Sequence, residues 1–176
     1  MATRQRGSTA AVPDTLTDPV DWARHYWQEQ QLEGNEQYFL AMSSLFRYQR
    51  LVVDAVEAQL RTQKLNLTDY LVLMTLQLSE TGTRLISNLA RSLMVHATTA
   101  TLATDRLEGR SLIRRTPHPT DRRATCVTIT AAGRRLVHKA TAKLNEIDFG
   151  FTGANEANVG TLLSLLTTLR TDAGDA

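Results

Sequence analysis

The sequence predicts a mainly α fold with a small β-hairpin wing, and three observations carry that prediction. Between Gly82 and Glu108, two short stretches with helical apolar spacing flank a tight turn. Between Ser111 and Thr130, two stretches with strand-like alternation flank a loop that holds two prolines and no apolar side chain. Long amphipathic segments stand on both sides of this unit. The arrangement is a winged helix-turn-helix, dimerised through N- and C-terminal helices.

The composition is globular, with 42% apolar and 22% charged residues in 176, enough for one domain with helical extensions. No apolar run reaches the roughly 18 residues of a membrane span, so no membrane partner is expected. The opening MATRQRGSTAAVPDTL has no apolar core of the kind a secretory signal needs, which makes the expected location cytoplasmic. A single cysteine, Cys126, leaves no intramolecular disulfide and no cysteine-based metal site.

The net charge of +2 conceals an asymmetry. Ten arginines lie between Arg84 and Arg135 against Asp105, Glu108 and Asp121, a local net charge of +7. A basic segment in an otherwise acidic chain points to a polyanion footprint on one face. Arginine is also the cation suited to forked contacts with phosphates and base edges.

In chain order, residues 1–16 are small, polar and aperiodic, and are expected to be a flexible tail in which Arg4 and Arg6 are the only cations. Asp18-Pro19 reads as a helix cap followed by proline at the first helical position, opening a helix to about Leu32 with Val20, Ala23, Tyr26 and Trp27 on one face. From Glu36 to Gln63, Phe39, Met42, Phe46, Val53, Val56 and Leu60 form a seam interrupted by Gln49. A helix of that length spans roughly 40 Å, more than a small lobe needs, so residues 17–65 are expected to help bind a second copy of the chain.

The DNA-binding lobe is expected over residues 66–130. Asn66 or Thr68 caps a short, mostly buried helix with Leu71, Val72, Met74, Leu76 and Leu78, broken at Glu80-Thr81-Gly82. Arg84-Leu85-Ile86 forms a brief strand. Ser87 then caps a helix through about Leu93, and Met94-Val95-His96 turns the chain into a further helix from about Ala97 to Glu108.

The second of these helices begins Ala97-Thr98-Thr99-Ala100-Thr101. Ala100, Ala103 and Leu107 face the core, which leaves a low surface of short side chains for a duplex to approach. Ala97, Thr98, Thr99 and Thr101 are therefore groove candidates, with capping as the competing role for Thr98 and Thr99. Strands follow at Ser111–Thr116 and Thr125–Thr130. Between them, Pro117-His118-Pro119-Thr120-Asp121-Arg122-Arg123 is an exposed tip that brings Arg122 and Arg123 to phosphates or the narrow minor groove. Asp121 is expected to orient an arginine there.

Residues 131–176 are expected to complete the dimer interface. Thr130 caps a helix through about Phe149 with Leu136, Val137, Ala140, Leu144 and Ile147. Asn155 caps another with Val159, Leu162, Leu163, Leu165, Leu166 and Leu169, more apolar positions than an uncovered helix usually carries.

From Leu67 to Val137 the chain resembles the MarR (multiple antibiotic resistance regulator) family. The resemblance rests on Leu89-Ala90, Thr101, Asp105-Arg106-Leu107-Glu108, Leu112-Ile113-Arg114-Arg115, Asp121-Arg122-Arg123 and Ile129-Thr130-Ala131-Ala132-Gly133. It implies a transcriptional regulator, more often a repressor, that binds double-stranded DNA at a pseudo-palindromic operator as a homodimer. Asp121 and Arg123 are the wing residues that it implies matter most. The expected DNA-binding set is Ser87, His96, Ala97, Thr98, Thr99, Thr101, Arg106, Arg114, Asp121, Arg122 and Arg123. The additional N-terminal helix with Trp27 looks like that of the urate-responsive branch, although Leu71 and Leu102 stand where that branch usually has an acidic residue and an arginine. The architecture implies a phenolic or anionic small-molecule effector, for which Trp27, Tyr38, Phe46 and Tyr70 are the aromatic candidates.

Nothing points to catalysis or to a cofactor. The chain has no glycine-rich phosphate loop, no HExxH and no CxxC, and His25, His96, His118 and His138 are scattered along it. His25 and Glu29 read as a solvated pair, and Cys126 as a small buried residue or a redox sensor. The alternative function is a winged-helix module that binds protein without specific DNA recognition.

Overall fold

A computed structural model describes residues 18–121 and 123–175. The expected tail, with Arg4 and Arg6, lies outside them, as does Arg122 of the wing. The chain divides into two compact units, residues 1–50 and 51–176.

The first unit contains α1 (Pro19–Glu29) and the start of α2 (Glu36–Arg61). Asp18 caps α1 by accepting from the Val20 N–H at 2.6 Å, with Pro19 in the first turn. α1 ends before Leu32, because Gln30 closes it and Gln31 takes a left-handed φ of 53°. Trp27 packs on Phe39 with ring centroids 5.3 Å apart. On α2, Tyr38, Met42, Leu45, Phe46 and Leu51 are exposed.

The second unit holds the core. Leu60 from α2, Val72, Leu73 and Leu76 from α3 (Leu67–Gln77), and Leu89 from α4 (Ile86–Ser92) are all fully buried. Leu107 from α5 (Ala97–Gly109) and Leu144 from α6 (Ala131–Asn145) join them. Burying each such side chain contributes on the order of 1.5–3 kcal/mol relative to exposure, so these seven anchor five helices on one centre. Asn66, rather than Thr68, caps α3, accepting from the Asp69 N–H at 2.8 Å. Leu78 falls just past the end of α3 and is exposed, contrary to its expected burial.

Three strands form an antiparallel sheet in the order β1 (Thr83–Leu85), β3 (Thr125–Ile129), β2 (Ile113–Pro117). Ile113 pairs with Ile129 and Arg115 with Val127, which turns Ile113, Val127 and Ile129 into the core. Arg114, Thr128 and Thr83 share the opposite face, where the hydroxyls of Thr83 and Thr128 bond at 2.8 Å.

α6 begins at the expected cap, Thr130, whose Oγ1 accepts from the Gly133 N–H at 3.1 Å. It stops at Asn145, short of Phe149, because Asp148 and Phe149 take left-handed φ values of 47° and 53° within a 3-10 turn. α7 (Glu156–Asp172) is capped by Asn155 as expected and buries none of its residues. Leu163, Leu165 and Leu169 are exposed along it.

Candidate nucleic-acid interface

The short connection from α4 to α5 sets the helix-turn-helix. Met94, with φ of 50°, takes the left-handed conformation just after α4, while the N–H groups of Met94 and Val95 donate to Arg91 and Ala90. His96 then caps α5, its Nδ1 accepting from the Thr98 N–H at 3.3 Å and lying 3.1 Å from the Thr98 hydroxyl. Capping of α5 thus falls to His96, and neither Thr98 nor Thr99 supplies the capping side chain. Nor does Ser87 cap α4: the cap position is Leu85, with no side-chain bond, and Ser87 stands exposed in the first turn.

α5 buries Ala100, Ala103, Thr104 and Leu107 completely, as its small-residue spacing requires. Ala97, Thr98, Thr99, Thr101 and Leu102 are exposed at its start. The Thr101 hydroxyl donates to the Ala97 carbonyl at 3.0 Å, and the buried Thr104 hydroxyl donates to Thr101 at 2.8 Å.

The arginines of the basic segment separate into two groups that the sequence does not distinguish. Arg106 was expected at the DNA. Its Nη2 instead meets Asp69 of α3 at 2.7 Å, where the carboxylate is 6% exposed. A buried carboxylate needs a charged partner, so this guanidinium is held by the core. Arg115 of β2 binds both acidic residues of α5, Asp105 at 2.6 Å and Glu108 at 2.6 Å. The Arg115 side-chain and backbone hydrogen bonds hold the Glu108 carboxyl below the usual carboxylate range, and the same pairing raises the Arg115 guanidinium. Arg110 donates to the carbonyls of Lys64 and Gln63, and Arg134 donates to Gln77 at 3.0 Å.

Arg84, Arg91, Arg114, Arg123 and Arg135 are exposed and have no acidic partner among the described residues. The clamp on Asp105 and Glu108 removes negative charge from α5, so the remaining cations set the sign of this face. Arg84, Arg91 and Arg135 entered the reading of the DNA-binding face only through the charge count. What marks them is the lack of an acidic partner among the described residues, which residue order does not reveal.

At the wing, His118 Nδ1 accepts from the Asp121 N–H at 3.2 Å and Asp121 Oδ1 accepts from the Arg123 N–H at 2.9 Å. Asp121 therefore shapes the backbone that carries Arg123, where orientation of a guanidinium was expected. Arg114 shares with Thr116, Thr128, Thr130 and Ala131 an open cavity of about 420 Å³. Cys126 is partly exposed rather than buried, in the wall of an open cavity of about 380 Å³ with Arg84, Asn88 and His118.

The four aromatic effector candidates do not share one environment. Trp27 is partly buried against Phe39, whereas Tyr38 and Phe46 are 78% and 61% exposed. Tyr70 belongs to the hydrophobic core at 4% exposure, its hydroxyl 3.1 Å from that of Thr141. Tyr70, a candidate as an aromatic residue, thus serves the packing of the lobe. No group of three or more His, Cys, Asp or Glu suited to a metal occurs among the described residues. No helix there is long and apolar enough to cross a membrane.

Residues 65–125 match the model of the MarR family. The chain is 32% identical to Sco5413, a MarR family transcriptional regulator from Streptomyces coelicolor. That match covers 79% of this chain and 96% of the other, with a TM-score of 0.74. It is 26% identical over 115 residues to YhbI of Bacillus subtilis, an uncharacterized HTH-type transcriptional regulator, covering 65% of this chain and 71% of that protein. CouR from Rhodococcus jostii, solved with p-coumaroyl-CoA bound, is 27% identical over 71% of this chain and 87% of its own, with a TM-score of 0.62. The chain belongs to the MarR family, whose members are transcriptional regulators and not enzymes.

Proposed function

We propose that this regulator is a ligand-responsive repressor that binds a pseudo-palindromic operator as a homodimer. α5 enters the major groove, and the wing lies along the flanking backbone or minor groove. The reading rests chiefly on one observation. Both acids of α5 are held by Arg115, while Arg114 and Arg123 remain exposed and unpaired among the described residues.

Within this reading Thr98, Thr99, Thr101 and Ala97 face base edges, and Ser87, His96, Arg114, Arg122 and Arg123 face phosphate or sugar. Asp121 acts by shaping the wing. The exposed apolar side chains of α2 and of α7 are covered by the second copy, whose spacing places two α5 helices about one helical turn of DNA apart, about 34 Å.

The effector is a phenolic or anionic small molecule, a class to which the ligand bound by CouR lends support. The aromatic residues of the first unit, Trp27, Tyr38 and Phe46, are the proposed recognition surface, with the N-terminal extension serving as in the urate-responsive branch. Trp27 fluorescence that stays constant while a ligand releases the DNA would remove Trp27 from that surface.

A gel shift against the intergenic DNA beside the protein's own gene, at two salt concentrations, tests DNA binding. A specific shift that weakens steeply with salt is expected. A protein with no salt-sensitive shift would instead be a winged-helix module for protein contacts.

A further inference from the structure

The exposed start of α5 carries only short side chains and one large apolar one, Leu102. Arg106 is the only long hydrogen-bond donor in Ala97–Gly109, and it is bound through Nε and Nη2 to Asp69. Asp105 is bound to Arg115. The hydroxyl of Thr98 is engaged with the helix cap, and that of Thr101 donates to its own helix backbone. What remains on the surface is the Thr99 hydroxyl, the methyl of Ala97, the methyls of the threonines, and the Leu102 side chain at 53% exposure, the one large apolar group among them. Leu102 lies four residues beyond Thr98, on the same stripe of the helix, with Thr101 beside it.

In the major groove, guanine is read by forked donors and adenine by an amide that both donates and accepts, whereas thymine alone presents a methyl group. An apolar side chain on the groove-facing stripe gains contact only with that methyl. We propose that Leu102, flanked by the Thr98 and Thr101 methyls, reads thymine C5-methyl groups, so that sequence preference rests on apolar contact instead of guanine recognition. The inference depends on α5 entering the major groove, as put forward above.

The test begins with selection of tight-binding duplexes from a pool randomised at its centre, using the full-length protein. The selected duplex is then remade with each thymine in turn replaced by deoxyuridine, which lacks only the methyl. Removing one such methyl is expected to weaken wild-type binding roughly fourfold, and the symmetric pair roughly fifteenfold. Leu102→Ala is expected to be indifferent to the same replacement while keeping the wild-type salt slope. Alanine is a strong helix former at an exposed position, so this variant retains α5.

A selected duplex without thymine in its core, or wild-type affinity that is unchanged at every deoxyuridine, would overturn the proposal and leave operator binding standing. So would equal sensitivity of Leu102→Ala. If selection enriches no sequence at all, the operator reading falls first and this inference with it.

Discussion

Arg106 of α5 closes a 2.7 Å ion pair on the buried carboxylate of Asp69 in α3. The bond ties the last turn of α5 to the core across 37 residues of sequence. Arg106→Ala leaves that carboxylate without a counter-charge, and urea denaturation should show a loss of about 1–3 kcal/mol. Asp69→Asn should cost less, because a neutral amide is cheaper to bury than an unpaired carboxylate. A stability unchanged by Arg106→Ala would mean that the pair does not form in solution.

The Arg115 clamp gives stability a particular dependence on pH. Hydrogen bonds from Arg115 hold the folded-state pKa of Glu108 below its unfolded value. Its contribution is therefore fully present above the ordinary carboxylate pKa and is lost as pH falls through the lower folded value. Because the pair is partly exposed, Glu108→Gln should cost only about 1 kcal/mol at pH 7. The gap between the variant and wild type should close as the pH drops below about 4. Thermal unfolding of both proteins from pH 7 to pH 3 measures this, and a gap that widened toward acid would reverse the assigned sign.

Gly133 stands in the first turn of α6, where a Cβ would meet the Leu112 carbonyl and lie 2.9 Å from Ile129 Cγ1. The usual gain of alanine over glycine in a helix is thereby outweighed, and Gly133→Ala should destabilise by about 1–3 kcal/mol. Gly109 ends α5 with nothing near its missing side chain, so Gly109→Ala should instead stabilise by up to about 1 kcal/mol. Opposite signs in thermal denaturation without DNA are the expected result.

These cases show which features residue order makes legible. Asp18, Asn66, Thr130 and Asn155 act as caps because their short side chains reach an N–H within three residues. The burial of Ala100, Ala103 and Leu107 follows from helical period alone. The structural role of Arg106 is invisible at that range, since its partner lies in another helix, and the same holds for Tyr70 and Thr141. His96 escapes notice as a cap because its ring rarely does what a shorter oxygen-bearing side chain does. The left-handed residues Asp148 and Phe149 cut α6 short, and neither is a glycine that would have announced the break.

The apolar residues left exposed on α2 and α7 set the expected oligomeric state. Light scattering coupled to gel filtration should give twice the chain mass of 19.6 kDa. Leu163→Asp or Phe46→Asp should shift the protein toward the monomer by placing a charge on an apolar contact. A monomeric wild type would remove the paired-lobe arrangement on which operator symmetry depends.

The proposed division between core-held and DNA-facing arginines is tested most directly by the salt dependence of DNA binding. Wild type, Arg123→Ala and Arg106→Ala should be titrated with one duplex over a range of salt, with each variant first shown to be folded. Arg123→Ala should lower the slope of log affinity against log salt by about 0.9 per protomer, as expected for one lost phosphate contact. Arg106→Ala should keep the wild-type slope. A slope unchanged by Arg123→Ala but reduced by Arg106→Ala would contradict the account.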